Sequence, residues 1–170
     1  MKWLIRIVGA VVLLGALTAI VGWLLPVKHE ASRSAEFART PNEVYALVSD
    51  YKNYVAWWPD ITRIEVLGEE AGKATFREHM ADGPIVMSVV EQSPPSRFVT
   101  KIVDAGQPFG GTWTFEINPV NEGRTRLTIT ERGEIYNPIF RALARFVFGY
   151  MSTMESFLQS ADRRLRVRSE

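Results

Sequence analysis

Nineteen consecutive residues from Ile7 to Leu25, IVGAVVLLGALTAIVGWLL, carry no charge. As a helix rising about 1.5 Å per residue this run is roughly 28 Å long, close to a hydrocarbon core of about 30 Å. Lys2 and Arg6 precede it, Trp3 and Trp23 lie near its two ends, and Pro26 with Lys28 closes it. Border tryptophans and flanking basic residues suit a helix whose ends sit among lipid headgroups. The pattern therefore predicts a transmembrane anchor over residues 1–26. A cleaved signal peptide is the competing reading, but its apolar region is usually about 7–15 residues long and ends in a small-x-small site. Here His29 precedes Glu30-Ala31 and Arg33 precedes Ser34-Ala35, so neither candidate site has that form. The short basic N-terminal segment favours an N-terminus inside the cytoplasmic membrane and a domain outside.

Beyond the anchor the chain is ordinary globular material. It has 170 residues, 46% hydrophobic and 23% charged, which is enough to bury one core and argues against wholesale disorder. It has no cysteine, which excludes a disulfide framework, a thiolate metal site and a cysteine nucleophile together. Two histidines, His29 and His79, cannot build a histidine-rich metal cage. Without Lys2 and Arg6 the rest carries 18 basic and 19 acidic side chains, so it has no electrostatic footprint for nucleic acid. The expected partners are the membrane, through residues 7–25, and a small molecule; no cofactor, metal or nucleic acid is expected.

Residues 27–33 are polar and read as a tether, with a domain over 34–170. Ser34 to Phe37 opens a strand. Thr40-Pro41-Asn42-Glu43 reads as a helix start, with Thr40 as N-cap, Pro41 in the first turn and Glu43 reaching back in a capping box. A short helical segment from Tyr51 to Trp58 ends at Pro59. Six strands follow at 62–67, 73–80, 85–92, 97–103, 111–118 and 124–131, separated by turn residues such as Asp82-Gly83-Pro84 and Asn121-Glu122-Gly123. Short connections between them predict an antiparallel meander. Asn137 and Pro138 then start a helix in which Phe140, Leu143, Val147, Tyr150, Met154, Leu158, Ala161 and Leu165 recur at helical spacing. That periodicity predicts one apolar face continuous from Pro138 to about Leu165. Arg163, Arg164, Arg166 and Arg168 read as its solvated C-terminal end. The fold class is α+β.

The order of these elements, with Thr40-Pro41-Asn42-Glu43-Val44-Tyr45, Asn53-Tyr54, Trp57-Trp58-Pro59, Glu91, Pro94-Pro95 and Phe109-Gly110-Gly111-Thr112-Trp113, resembles the START-like or SRPBCC superfamily. The likeness extends from about Ser34 to Leu165 and points to the polyketide cyclase/dehydrase-like branch. The resemblance implies a helix-grip fold, a curved antiparallel sheet of about seven strands wrapped on the C-terminal helix with a ligand cavity between them. Members include lipid-transfer proteins and aromatase/cyclases, so the resemblance implies no single activity.

Strand alternation indicates which side chains face that space. Trp113 and Phe115 share a face, as do Ile129 with Glu131, Met87 with Glu91, and Phe76 with Glu78 and Met80. Trp57 and Phe98 join them, and the helix contributes Leu143, Val147, Tyr150, Met151 and Met154. These thirteen apolar residues either line an adaptable pocket or fill a solid core. Glu78, Glu91 and Glu131 are weak catalytic candidates: inward carboxylates able to move a proton, or strand-end groups paired with Arg77, Arg97 or Arg132. His79 opposes Phe76 and Met80 in phase and reads as a surface residue; Trp57 and Trp58 read as core and rim packing. No nucleophile elbow, phosphate loop or dinucleotide fingerprint is present. The leading expectation is an anchored binding protein for a lipid or other hydrophobic molecule. A cyclase/dehydratase-like enzyme using an inward glutamate and an envelope interaction module with a vestigial pocket are the alternatives.

Overall fold

A computed structural model of the chain describes residues 2–104 and 106–167 and, for Phe148, the backbone. Helix α1 (Lys2–Leu24) is followed by strand β1 (Lys28–Phe37), helix α2 (Pro41–Ser49) and a short 3-10 helix (Tyr51–Ala56). Six further strands follow: β2 (Arg63–Glu70), β3 (Lys73–Met80), β4 (Gly83–Ser93), β5 (Arg97–Ile102), β6 (Phe109–Asn121) and β7 (Arg124–Ile135). Helix α3 (Pro138–Leu143), a π-helical turn (Ala144–Phe148) and helix α4 (Ser152–Val167) complete the order. The strands form one antiparallel sheet in the order β1-β7-β6-β5-β4-β3-β2, with α4 against its inner face. This is the helix-grip α+β architecture.

Local signals set several of these boundaries. Thr40 Oγ1 accepts from the Glu43 amide, and the Glu43 carboxylate accepts from the Thr40 amide at 2.9 Å, which closes the capping box. Asn137 caps α3 by accepting from the Phe140 amide at 3.1 Å.

Two expectations are corrected. Residues 28–33 are not a tether: they belong to β1 and pair with β7, Lys28 opposite Glu134 and Arg33 opposite Ile129. A mostly polar run, with Ala31 its one apolar residue, hid a strand whose partner lies about a hundred residues away. The C-terminal helix is not continuous either. Gly149 has φ +74°, a left-handed conformation that an α-helix cannot propagate, and it separates the π turn from α4. The apolar face divides there. Met154, Leu158, Ala161 and Leu165 are buried, whereas Phe140 is half-exposed and Val147 is 66% exposed.

Because every neighbouring pair of strands is antiparallel, one edge of the sheet collects the start of β1, the end of β7, the start of β6, the end of β5, the start of β4, the end of β3 and the start of β2. Helix α1 enters at this edge and α3 leaves from it, with the Ile135 amide donating to the Val27 carbonyl at 2.9 Å. Helix α4 runs from this edge to the opposite one, where the Arg39 side chain donates to the Leu165 carbonyl.

Helix α1 is long and apolar enough to cross a membrane. Its large side chains are exposed all round, while Thr18, Ala19, Gly22 and Leu25 are covered on one face, where α3 packs. Gly22 makes that approach possible, since a Cβ there would lie 1.7 Å from the Pro138 carbonyl oxygen. The Arg141 guanidinium, 6% exposed, donates to the carbonyls of Leu25 (2.8 Å), Ile135 (2.9 Å) and Tyr136 (3.0 Å). A buried cation at the C-terminal end of α1 meets the negative pole of that helix.

The core is dominated by Phe157 on α4, which is fully buried and touches five rings, those of Tyr54, Trp57, Trp58, Trp113 and Phe115, with centroids 5.0–6.4 Å away. Phe157→Ala is expected to cost roughly 3–5 kcal/mol, whereas Val147→Ala on the exposed segment should stay within about 0.5 kcal/mol. Thermal unfolding of the full chain in detergent measures both, and equal effects would contradict the divided face.

Candidate functional site

Many of the expected interior residues lie in the packed core. Phe76, Phe98, Phe115, Ile129 and Met154 are at most 2% exposed, and Met87 is buried beside them. Two concavities lie elsewhere, with volumes of about 250 and 190 Å³. The larger is lined by Tyr51, Lys52, Glu69 and Gln92; the smaller lies beside α2 and Arg164 and shares only Trp57 with the expected set. Phe157, absent from the expected helix face, takes up the middle of the grip. Restarting the periodicity at Gly149 would have found it, because 154, 157, 158, 161 and 165 form one helical stripe.

Packing loosens toward the edge where α1 enters. Ile64, Met80, Ile85, Ile102 and Trp113 on the sheet, with Tyr150 and Met151 before α4, pack on the core yet remain partly exposed. Leu143 is half-buried on α3, and Trp57 packs edge-on to Phe157 at 5.1 Å. Val147 stands apart, facing outward. Together the partly exposed sheet residues, Tyr150 and Met151 form a partly buried apolar rim at the edge where α1 enters.

The three glutamates have three different surroundings. Glu91 is 43% exposed and pairs with Arg97 at 3.0 Å, the strand-end arrangement anticipated for it. Glu131 is inward and largely covered, and it accepts from the Trp113 indole N–H at 3.1 Å. His29 Nε2 lies 3.2 Å from its other oxygen, and the His29 ring stacks on Tyr150 at 4.0 Å. Gly133, opposite His29 in the register, makes room for the imidazole: a Cβ there would come within 2.2 Å of the ring. His29 was hidden from sequence reasoning because it lay in the supposed tether.

Glu78 is different again. It faces inward between Ile64 of β2 and Ile85 of β4, is 8% exposed, and has no hydrogen-bond or ion-pair partner among the described residues. Burial alone pushes its carboxyl up from the ordinary 4.5 to about 7. The arginine proposed as its partner, Arg77, points the other way and binds Glu65 at 3.0 Å. His79 lies on the same outer face, 3.6 Å from Glu65. Trp58 is buried, with its indole N–H shared between Asp60 and Ser156. Arg163 donates to Ser160 and Arg166 pairs with Asp162 at the end of α4; Arg168 lies outside the described residues. No cluster of side chains able to hold a metal occurs among the described residues.

Residues 28–169 match the family model described as polyketide cyclase / dehydrase and lipid transport. The chain belongs to this family. No protein of curated function matches it. Among solved structures it is similar to a START superfamily protein from Mycobacterium smegmatis, at 21% identity and a TM-score of 0.66, over 81% of this chain and 97% of that one. It is also similar to the Zhui aromatase/cyclase from Streptomyces sp. R1128, at 12% identity and a TM-score of 0.68, over 84% and 96%. A protein from Thermus thermophilus matches at 21% identity and a TM-score of 0.70, over 84% of this chain and 100% of the other. At these identities the likeness establishes the fold.

The folded Glu78 carboxyl holds its proton more tightly than the unfolded one, so its contribution to stability is full below about pH 4.5, falls as pH rises toward about 7, and stays lost above that. Glu78→Gln is expected to remove this slope and to stabilise the protein at about pH 8 by on the order of 2–4 kcal/mol. Urea unfolding at about pH 5 and pH 8 checks it; parallel pH dependence in both proteins would show that Glu78 titrates normally.

Proposed function

We propose that this protein is a membrane-anchored binding module for a lipid or similarly hydrophobic small molecule, seated at the apolar edge of the grip rather than in an enclosed cavity. One observation supports the reading: Ile64, Met80, Ile85, Ile102, Trp113, Tyr150 and Met151 pack on the core only in part and collect around the buried Glu78 carboxyl at one end of the grip. A rim of aromatic and thioether side chains packs varied apolar shapes, and a neutral Glu78 can donate one orienting hydrogen bond. The anchor reading draws support from α1 itself, whose one covered face packs on α3 and whose other faces are apolar and bare. We place the N-terminus inside and the domain outside, from the basic residues Lys2 and Arg6.

A second reading has its own observation. A carboxyl titrating near 7 is matched to proton transfer at neutral pH, as a cyclase or dehydratase acting on an enolisable substrate would need. Glu78→Gln separates the two, because a binding module keeps its ligand affinity and an enzyme loses turnover.

The full chain, purified in detergent and extracted with solvent, is expected to yield a co-purified apolar molecule by mass spectrometry. It is also expected to bind fluorescent fatty acid or phospholipid. Met151→Glu should weaken that binding by about tenfold or more, since the ligand would cover an unpaired charge. A clean extract together with no fluorescent-lipid binding would count decisively against a carrier and leave an interaction module.

A further inference from the structure

The segment between the sheet and α4 has an apolar face that no described residue covers. Ile139 and Phe140 on α3 are 44% and 49% exposed, and Phe146 and Val147 on the π turn are 67% and 66% exposed. All four are exposed, while Arg141 and Ala142 between the pairs are buried. Four large apolar side chains on one strip are more than scattered surface hydrophobics require.

The position of the strip identifies its occupant. Helix α3 packs alongside the last turns of α1, covering Thr18, Ala19, Gly22 and Leu25, which span about 10 Å of helix at 1.5 Å per residue. The connection from α1 to β1 is three residues long, and Arg141 ties it to α3 through the Leu25 carbonyl. Helix α3 is therefore held beside the C-terminal end of α1, and the π turn that carries Phe146 and Val147 follows α3 directly. Tyr136, 52% exposed, and Arg145, exposed between the apolar pairs, supply the amphipathic groups found where protein meets lipid headgroups.

We infer that residues 138–147 form a second membrane element, a short interfacial wedge seated in the same leaflet that receives the end of α1. It holds the half-exposed edge of the grip against the lipid. The inference rests on α1 being an anchor and adds a lipid contact by the domain itself. Gly149, at the junction of wedge and α4, places Tyr150 and Met151 directly after the membrane-seated turn.

The chain has no cysteine, so single-cysteine labelling tests this on the full protein. Phe146→Cys, Leu13→Cys on α1 and Glu122→Cys on the far edge of the sheet are each labelled with an environment-sensitive fluorophore. Each is reconstituted in phosphatidylcholine–phosphatidylglycerol vesicles. Labels at 146 and 13 are expected to be quenched severalfold more by doxyl-labelled lipid than by iodide, with the reverse at 122. Lipid quenching at 13 with iodide quenching at 146, or shielding of 146 from both quenchers, overturns the wedge and leaves the anchor standing. Iodide quenching at both 13 and 146 overturns the anchor and the wedge with it. Lipid quenching at 146 without lipid quenching at 13 overturns the anchor and, with it, a wedge seated beside the end of α1. Circular dichroism of each labelled protein confirms the fold, which an exposed position such as 146 does not perturb.

Discussion

Phe157 is where the helix holds the sheet. Its ring meets Trp113 and Phe115 from β6 on one side and Tyr54, Trp57 and Trp58 from the 3-10 helix and its exit on the other. Aromatic pairs at edge-on geometry add to the burial of their area, so this contact joins three parts of the chain that are distant in sequence. It also fills the space between α4 and the sheet at that level with a fully buried ring. Packing is less complete toward one end of the grip, where several apolar side chains stay partly exposed.

That end is the one facing the apolar N-terminal helix. The far edge carries α2 and the Arg39 contact to the end of α4, while the near edge is fronted by α3, the π turn and Gly149. Half-exposed Ile64, Met80, Ile85 and Ile102 collect there, and so does Glu78. A carboxyl buried without a partner favours its neutral form, so this edge is more apolar than its residue types suggest. With β1 starting at Lys28 and Arg141 bonded to Leu25, the domain is held close to α1 rather than suspended on a leash.

Local chemistry was legible from the residues. The Thr40–Glu43 capping box, the Asn137 cap and the six strands after Pro59 depend on neighbours within a few positions, and each is found where it was expected. Contacts set by distant partners were not legible. Residues 28–33 look like linker until β7 is placed beside them, and Gly149 looks like one more small residue inside a periodic helix. The glutamates show the same division. Glu91 has Arg97 on the adjacent strand, a short-range pairing that the sequence suggests. For Glu78, the arginine next in sequence points to the opposite face, as strand alternation requires.

The amino-acid order by itself determined an apolar N-terminal helix, an antiparallel meander, an amphipathic C-terminal helix and the family these compose, because hydrophobic period and turn chemistry act over a few residues. Whether the grip encloses a cavity, which carboxyl loses its charge, and which apolar side chains are left uncovered were decided only by the tertiary structure. Those outcomes depend on how volumes from α4, the 3-10 segment and the sheet fit together, and on what the last turns of α1 bring alongside. Neither quantity is written in any local stretch of the chain.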